Sequence, residues 1–81
     1  MGLFGFGKSN EEKASHLHHK GVNLSKKEKF EEALECFDEA ISIDGTNPEF
    51  WTWKSFALKK LGRHEEAEQC FAKVKVAEER E

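Results

Sequence analysis

Apolar residues recur along this chain at helical spacing, in four stretches separated by short polar turns. The clearest stretch is Phe30, Ala33, Leu34, Phe37, Ala40 and Ile41, a full i, i+3, i+4, i+7 stripe that predicts an amphipathic helix. Ahead of it, Leu17, Gly21 and Leu24 are spaced four and three apart, as one face of an earlier helix requires. That first helix should start at Ser9, because Ser9-Asn10-Glu11-Glu12 has the spacing of a capping box. The polar run Ser25–Lys29 marks a turn. The second helix should stop near Asp44-Gly45, with Gly45 as the left-handed residue after its end. Asn47 and Pro48 read as N-cap and first position of a third helix, which runs to about Leu61 and is ended by Gly62. A fourth helix is expected from about Arg63 onward, with Ala67, Phe71 and Val74 on its inner side.

The pattern occurs twice. A shift of 34 residues superimposes Lys20 on Lys54, Leu24 on Leu58, Glu31-Glu32-Ala33 on Glu65-Glu66-Ala67, and Cys36-Phe37 on Cys70-Phe71. A short fixed period predicts stacked supersecondary units that cannot each bury an apolar face alone. The expected fold is all-α: four antiparallel helices in two stacked helix-turn-helix repeats, about 14–47 and 48–81, forming a short α-solenoid. Residues 9–81 make that domain. Met1–Lys8 (MGLFGFGK) differs in composition and reads as a flexible Gly/Phe leader whose phenylalanines fold back on the first helix or tether the chain to a membrane surface or a partner. Its Met-Gly start lacks the Ser or Thr that a myristoylation motif places at the sixth position, where Phe6 stands.

Composition narrows the function. The net charge is −3 and the pI near 5.8, the opposite of the basic footprint that nucleic acid requires. No run approaches the roughly 20 apolar residues of a membrane span. The start of the chain lacks the charged lead and long apolar stretch of a secretory signal, so a cytoplasmic protein is expected. Cys36 and Cys70 fall at equivalent repeat positions, too far apart for a disulfide if helices pack at the usual roughly 8–10 Å, and read as free thiols. No nucleophile stands with a base and no Gly-rich phosphate loop appears, so neither an enzyme nor a cofactor is expected. His16, His18 and His19 form a histidine cluster without Asp, Glu or Cys placed beside it, which leaves metal binding the weakest reading.

The repeat resembles the tetratricopeptide repeat over residues 14–80. Trp51, Lys54, Ser55 and Leu58 fall at its first block, followed by Ala67 and Phe71. The matching residues of the first copy are Leu17, Lys20, Gly21 and Leu24, then Ala33, Phe37 and Ala40. Leu17 and Leu24 stand for bulkier aromatics, Lys20 and Lys54 for leucine, and Gly45 for a proline. The resemblance implies close helix approach at Gly21, Ser55, Ala33 and Ala67, with Phe37 and Phe71 between successive repeats. It also implies a concave groove lined by the first helix of each repeat, which captures a protein or peptide. The groove-facing pairs would be His18 with Thr52, His19 with Trp53, Val22 with Phe56, and Lys26 with Lys60, with Lys59 beside them. Trp53 and Phe56 would supply an apolar anchor and the lysines would select acidic neighbours. Val22 and Phe56 occupy positions where a carboxylate clamp would use asparagine, which argues against that mode. Self-association is the alternative, since Phe71, Val74 and Val76 lack a later helix to cover them; weak end-to-end stacking or a homodimer would follow.

Overall fold

The computed structural model describes residues 9–79, with side chains through residue 75. Four helices follow one another: α1 (Asn10–Lys26), α2 (Phe30–Ile43), α3 (Pro48–Lys60) and α4 (His64–Glu79). There is no strand among the described residues. The leader Met1–Lys8 and the side chain of Val76 lie outside the described residues.

Each boundary has a local cause. Ser9 caps α1 as its sequence predicts: its hydroxyl accepts from Glu12 N at 3.2 Å, and the Glu12 carboxylate accepts from Ser9 N at 3.2 Å. The first helix of each repeat ends in the same pair of hydrogen bonds: Lys29 N to Leu24 O and Glu28 N to Ser25 O, both at 2.9 Å, and Arg63 N to Leu58 O at 2.8 Å with Gly62 N to Lys59 O at 3.0 Å. That closure needs a left-handed residue, and Gly62 supplies it at φ 81° in the second repeat. In the first repeat Glu28 holds the same conformation at φ 63°, which costs an L-residue about 1 kcal/mol. Asn47 caps α3 by accepting from Glu49 N at 2.9 Å, with Pro48 at the first turn.

The end of α2 departs from expectation. Gly62 is the glycine with positive φ among the described residues, so Gly45 is not a left-handed cap. The chain instead leaves α2 through extended Asp44, φ −143° and ψ 92°. Asp44 Oδ1 accepts from the Thr46 backbone N–H and hydroxyl, at 3.2 and 2.7 Å, closing the turn with a side chain. The Trp51 indole N–H then donates to Gly45 O at 2.9 Å, pinning the turn to α3.

Packing ties the two repeats into one core. α1 lies on α2, α3 on α4, and α2 on α3, while α1 also touches α3. One buried cluster joins Ala14, Ala40 and Phe50; a second joins Ala33, Phe37 and Ala57; a third joins Leu34, Leu58, Ala67 and Cys70. All three draw residues from both repeats, so neither repeat has a core of its own. Ser55 and Gly21 are buried at equivalent positions, as the close helix approach requires. Asp38 of α2 pairs with Lys54 of α3 at 2.7 Å across the seam. Trp51 packs on the third cluster, with Lys54 and Lys73 ammoniums 5.4 and 5.1 Å from its ring.

Two expectations about buried faces need correction. The buried line of α1 is Ala14, His18, Gly21 and Ser25, with Leu17 and Leu24 only half-buried beside it. On α4, Ala67, Cys70 and Val74 are buried but Phe71 is 51% exposed. Its counterpart Phe37 is 0% exposed because α3 closes over it, and nothing among the described residues does the same for Phe71.

Candidate functional site

The sequence of α3, Phe50-Trp51-Thr52-Trp53-Lys54-Ser55-Phe56, sends its aromatic residues in three directions, because successive helical positions turn by about 100°. Phe50 enters the core, Trp51 faces α2 and α4, and Trp53 and Phe56 share a third face three residues apart. Trp53 is half-buried and packs on the cluster of Ala33, Phe37 and Ala57, where Val22 of α1 packs too. Phe56 is 39% exposed. Its ring meets the Trp53 ring edge-on at 5.6 Å, and Phe30 of α2 meets it edge-on from the other side at 6.0 Å. Lys60 Nζ lies 5.5 Å from the Phe56 ring centre.

The aromatic series continues inward. Trp53 lies 6.3 Å from both Phe37 and His18, and His18 stacks against Phe50 at 4.8 Å. An exposed ring is thereby connected to the centre of the core through contacts that leave its neighbours little freedom to reorient.

Of the expected groove residues, the structure brings Val22, Trp53, Phe56 and Lys60 together, and His19 and Lys26 stand exposed on α1. His18 is not a groove residue. It is 2% exposed, enclosed by Phe37, Phe50 and Trp53, and its Nε2 lies 3.6 Å from Glu49 Oε2. Thr52 holds the same repeat position but is exposed, because no helix among the described residues covers it; its hydroxyl donates to Pro48 O at 2.9 Å. Lys59 leans toward α4, its ammonium 5.5 Å from the Phe71 ring centre. Phe30 is the contributor that sequence reasoning missed. It belongs to the α2 stripe, and only the tight turn at Lys27–Lys29 sets it beside α3.

Charge is distributed unevenly along this face. Lys26, Lys59 and Lys60 occupy the last turns of α1 and α3, where cations also complement the helix dipoles, and Glu49 lies in the first turn of α3. Burial pushes the His18 pKa below the ordinary value of 6.5, an effect the Glu49 carboxylate opposes. Its Nδ1 is buried without a hydrogen-bond partner among the described residues. The folded chain therefore keeps this ring neutral to a lower pH than the unfolded chain, which protonates it near pH 6.5. Its contribution to stability is fully present above that pH and is lost as pH falls toward the lowered folded value. Thermal unfolding below pH 6.5 should show a steeper loss of stability for the wild-type chain than for His18→Leu.

The site offers surface chemistry. Among the described residues, no three His, Cys, Asp or Glu side chains are grouped to hold a metal ion. Cys36 and Cys70 are free and buried, and burial raises both thiol pKa values, which keeps them protonated and unreactive. No described helix is long and apolar enough to cross a membrane.

Models of the tetratricopeptide repeat match residues 17–47 and 36–69. The first match covers the α1–α2 pair; the second runs from α2 into α4, out of step with the first, as a continuous period permits. An uncharacterized protein of Methanocaldococcus jannaschii is 42% identical over 62 residues, which span 76% of this chain and 72% of that protein. No solved structure matches the chain.

Proposed function

We propose, from the premise that the chain belongs to the tetratricopeptide repeat family, that it is a non-enzymatic module that binds a peptide or protein segment along the face shared by α1 and α3. Repeats of this family point to protein–protein interaction as the general role. The observation that carries the finer reading is Phe56, an aromatic side chain left 39% exposed while Trp53 and Phe30 buttress it edge-on. A ring so braced loses little entropy on binding, which is what an apolar anchor site needs. His19 and Val22 form the neighbouring wall. Lys26 and Lys60 favour acidic residues flanking the anchored side chain. The two free thiols fit a reducing, cytoplasmic setting.

The probe is a set of peptides selected on the full chain from a random dodecapeptide display library. Enrichment of a bulky apolar residue with acidic neighbours is expected. Phe56→Ala should weaken the selected peptides at least about tenfold while costing only about 1–2 kcal/mol of stability, so the chain stays folded. Trp53→Ala is a poorer probe, because Trp53 also packs on Phe37 and its loss opens the core. Selected peptides that bind Phe56→Ala as tightly as the wild-type chain would refute this site.

A further inference from the structure

The side of α4 turned away from α2 carries His64, Glu68, Phe71 and Lys75, spaced four, three and four apart and all exposed. In the first repeat the same positions are Phe30, Leu34, Phe37 and Ile41. There Leu34 and Phe37 are buried and Ile41 packs half-buried beside Phe50, forming the seam that receives the second repeat. The second copy keeps the central aromatic residue but exchanges Leu34 for Glu68 and Ile41 for Lys75. The ion pair Asp38–Lys54 across the first seam also has no counterpart, since Ala72 stands where Asp38 did. A further repeat on this seam would bury Glu68 and Lys75 against apolar positions, which is costly for unpaired charges.

A second copy laid on in the same head-to-tail register fits poorly as well. Its α1 would present His16 and Asn23 where α3 presents Phe50 and Ala57, the residues that close the existing seam. The charge order along α4 has a different symmetry. Phe71 lies almost midway between Glu68 and Lys75, about 10 Å apart along the helix at the usual rise. When two copies of α4 meet antiparallel about a two-fold axis near Phe71, Glu68 of each copy faces Lys75 of the other. Phe71 of each copy then packs at the centre, where 51% of its surface is now open. A parallel pairing would instead set Glu68 against Glu68 and Lys75 against Lys75.

We infer that the His64–Glu68–Phe71–Lys75 face of α4 is a self-complementary surface that joins two copies of the chain in a weak, two-fold dimer. This surface is separate from the groove of α1 and α3, so both can be occupied at once. One exposed aromatic and two surface ion pairs make an interface at the low end of the size range, so dimerisation is weak and reversible. The two-fold pairing closes on itself, and assembly stops at two.

Sedimentation of the full chain from about 10 μM to about 1 mM tests the inference. The wild-type chain should pass reversibly from monomer to dimer without larger species. Glu68→Lys and Lys75→Glu should each weaken dimerisation about tenfold, because each turns two attractive pairs into repulsive ones. Mixing the two variants should restore the dimer, since the lysines of one then meet the glutamates of the other. Phe71→Ser should remove it. Circular dichroism checks that these exposed substitutions leave the helices in place. A chain that stays monomeric throughout, one that grows into longer stacks, or single charge variants that dimerise like wild type would each overturn the inference.

Discussion

Phe37→Ala is expected to cost about 3–5 kcal/mol, while the same substitution at Phe71, its counterpart one repeat later, should cost about 1 kcal/mol. The two residues stand at the same point of the same motif, so local propensity cannot separate them. Their surroundings do. Phe37 is 0% exposed, locked between Gly21 of α1, Ala57 of α3 and the rings of His18 and Trp53. Truncating it loses the transfer energy of the ring and leaves a cavity that three helices border. Phe71 already has about half its surface in water and is partly sheltered by Lys59, so little remains to lose. For 81 residues a typical total stability is roughly 4–12 kcal/mol, so Phe37→Ala alone removes at least about a quarter of it. Urea unfolding followed by circular dichroism measures both variants. Equal losses would mean that Phe37 is not enclosed by the second repeat.

Gly21→Ala is expected to destabilise the chain by about 1–2 kcal/mol, although alanine is the better helix former by about 1 kcal/mol. A Cβ at Gly21 would lie 2.6, 2.9 and 3.0 Å from three atoms of the Phe37 ring. A flexible chain end could move aside, but this ring has no free space, so α1 and α2 must part. Overpacking therefore outweighs the gain in propensity. Gly21→Val should be worse, at about 3 kcal/mol or more, because its branched side chain adds bulk at the same place. Thermal melts of the two variants rank them directly. A melting temperature raised by Gly21→Ala would show that propensity wins and that the helices are looser than described.

The 34-residue period, the capping box at Ser9, the Asn47-Pro48 start and the Gly62 stop were all legible in the sequence, because each rests on chemistry within a few neighbouring residues. Equivalent repeat positions did not guarantee equal burial. Ala33 and Ala67 are buried alike, but Phe37 and Phe71 are not, since one faces a following helix and the other does not. His18 illustrates the same limit. The family resemblance placed it in an open groove, whereas its burial depends on α3 folding over it from more than 30 residues away. Gly45 misled for a different reason: a glycine after a helix usually marks a left-handed cap, yet here Asp44 closes the turn and Trp51 holds the carbonyl of Gly45. Of the candidate site, the family resemblance named Trp53 and Phe56, whereas Phe30 and the lean of Lys59 toward Phe71 depend on how whole helices are placed.

Amide and indole NMR of the full chain, titrated with a library-selected dodecapeptide, locates the binding face residue by residue. The expected shifts are largest at His19, Val22, Lys26, Trp53, Phe56 and Lys60, with the Trp53 indole moving and the Trp51 indole, held by Gly45, staying still. Shifts centred instead on Trp51 and Lys73, with Trp53 and Phe56 unmoved, would place recognition on a different face of α3 and contradict the groove.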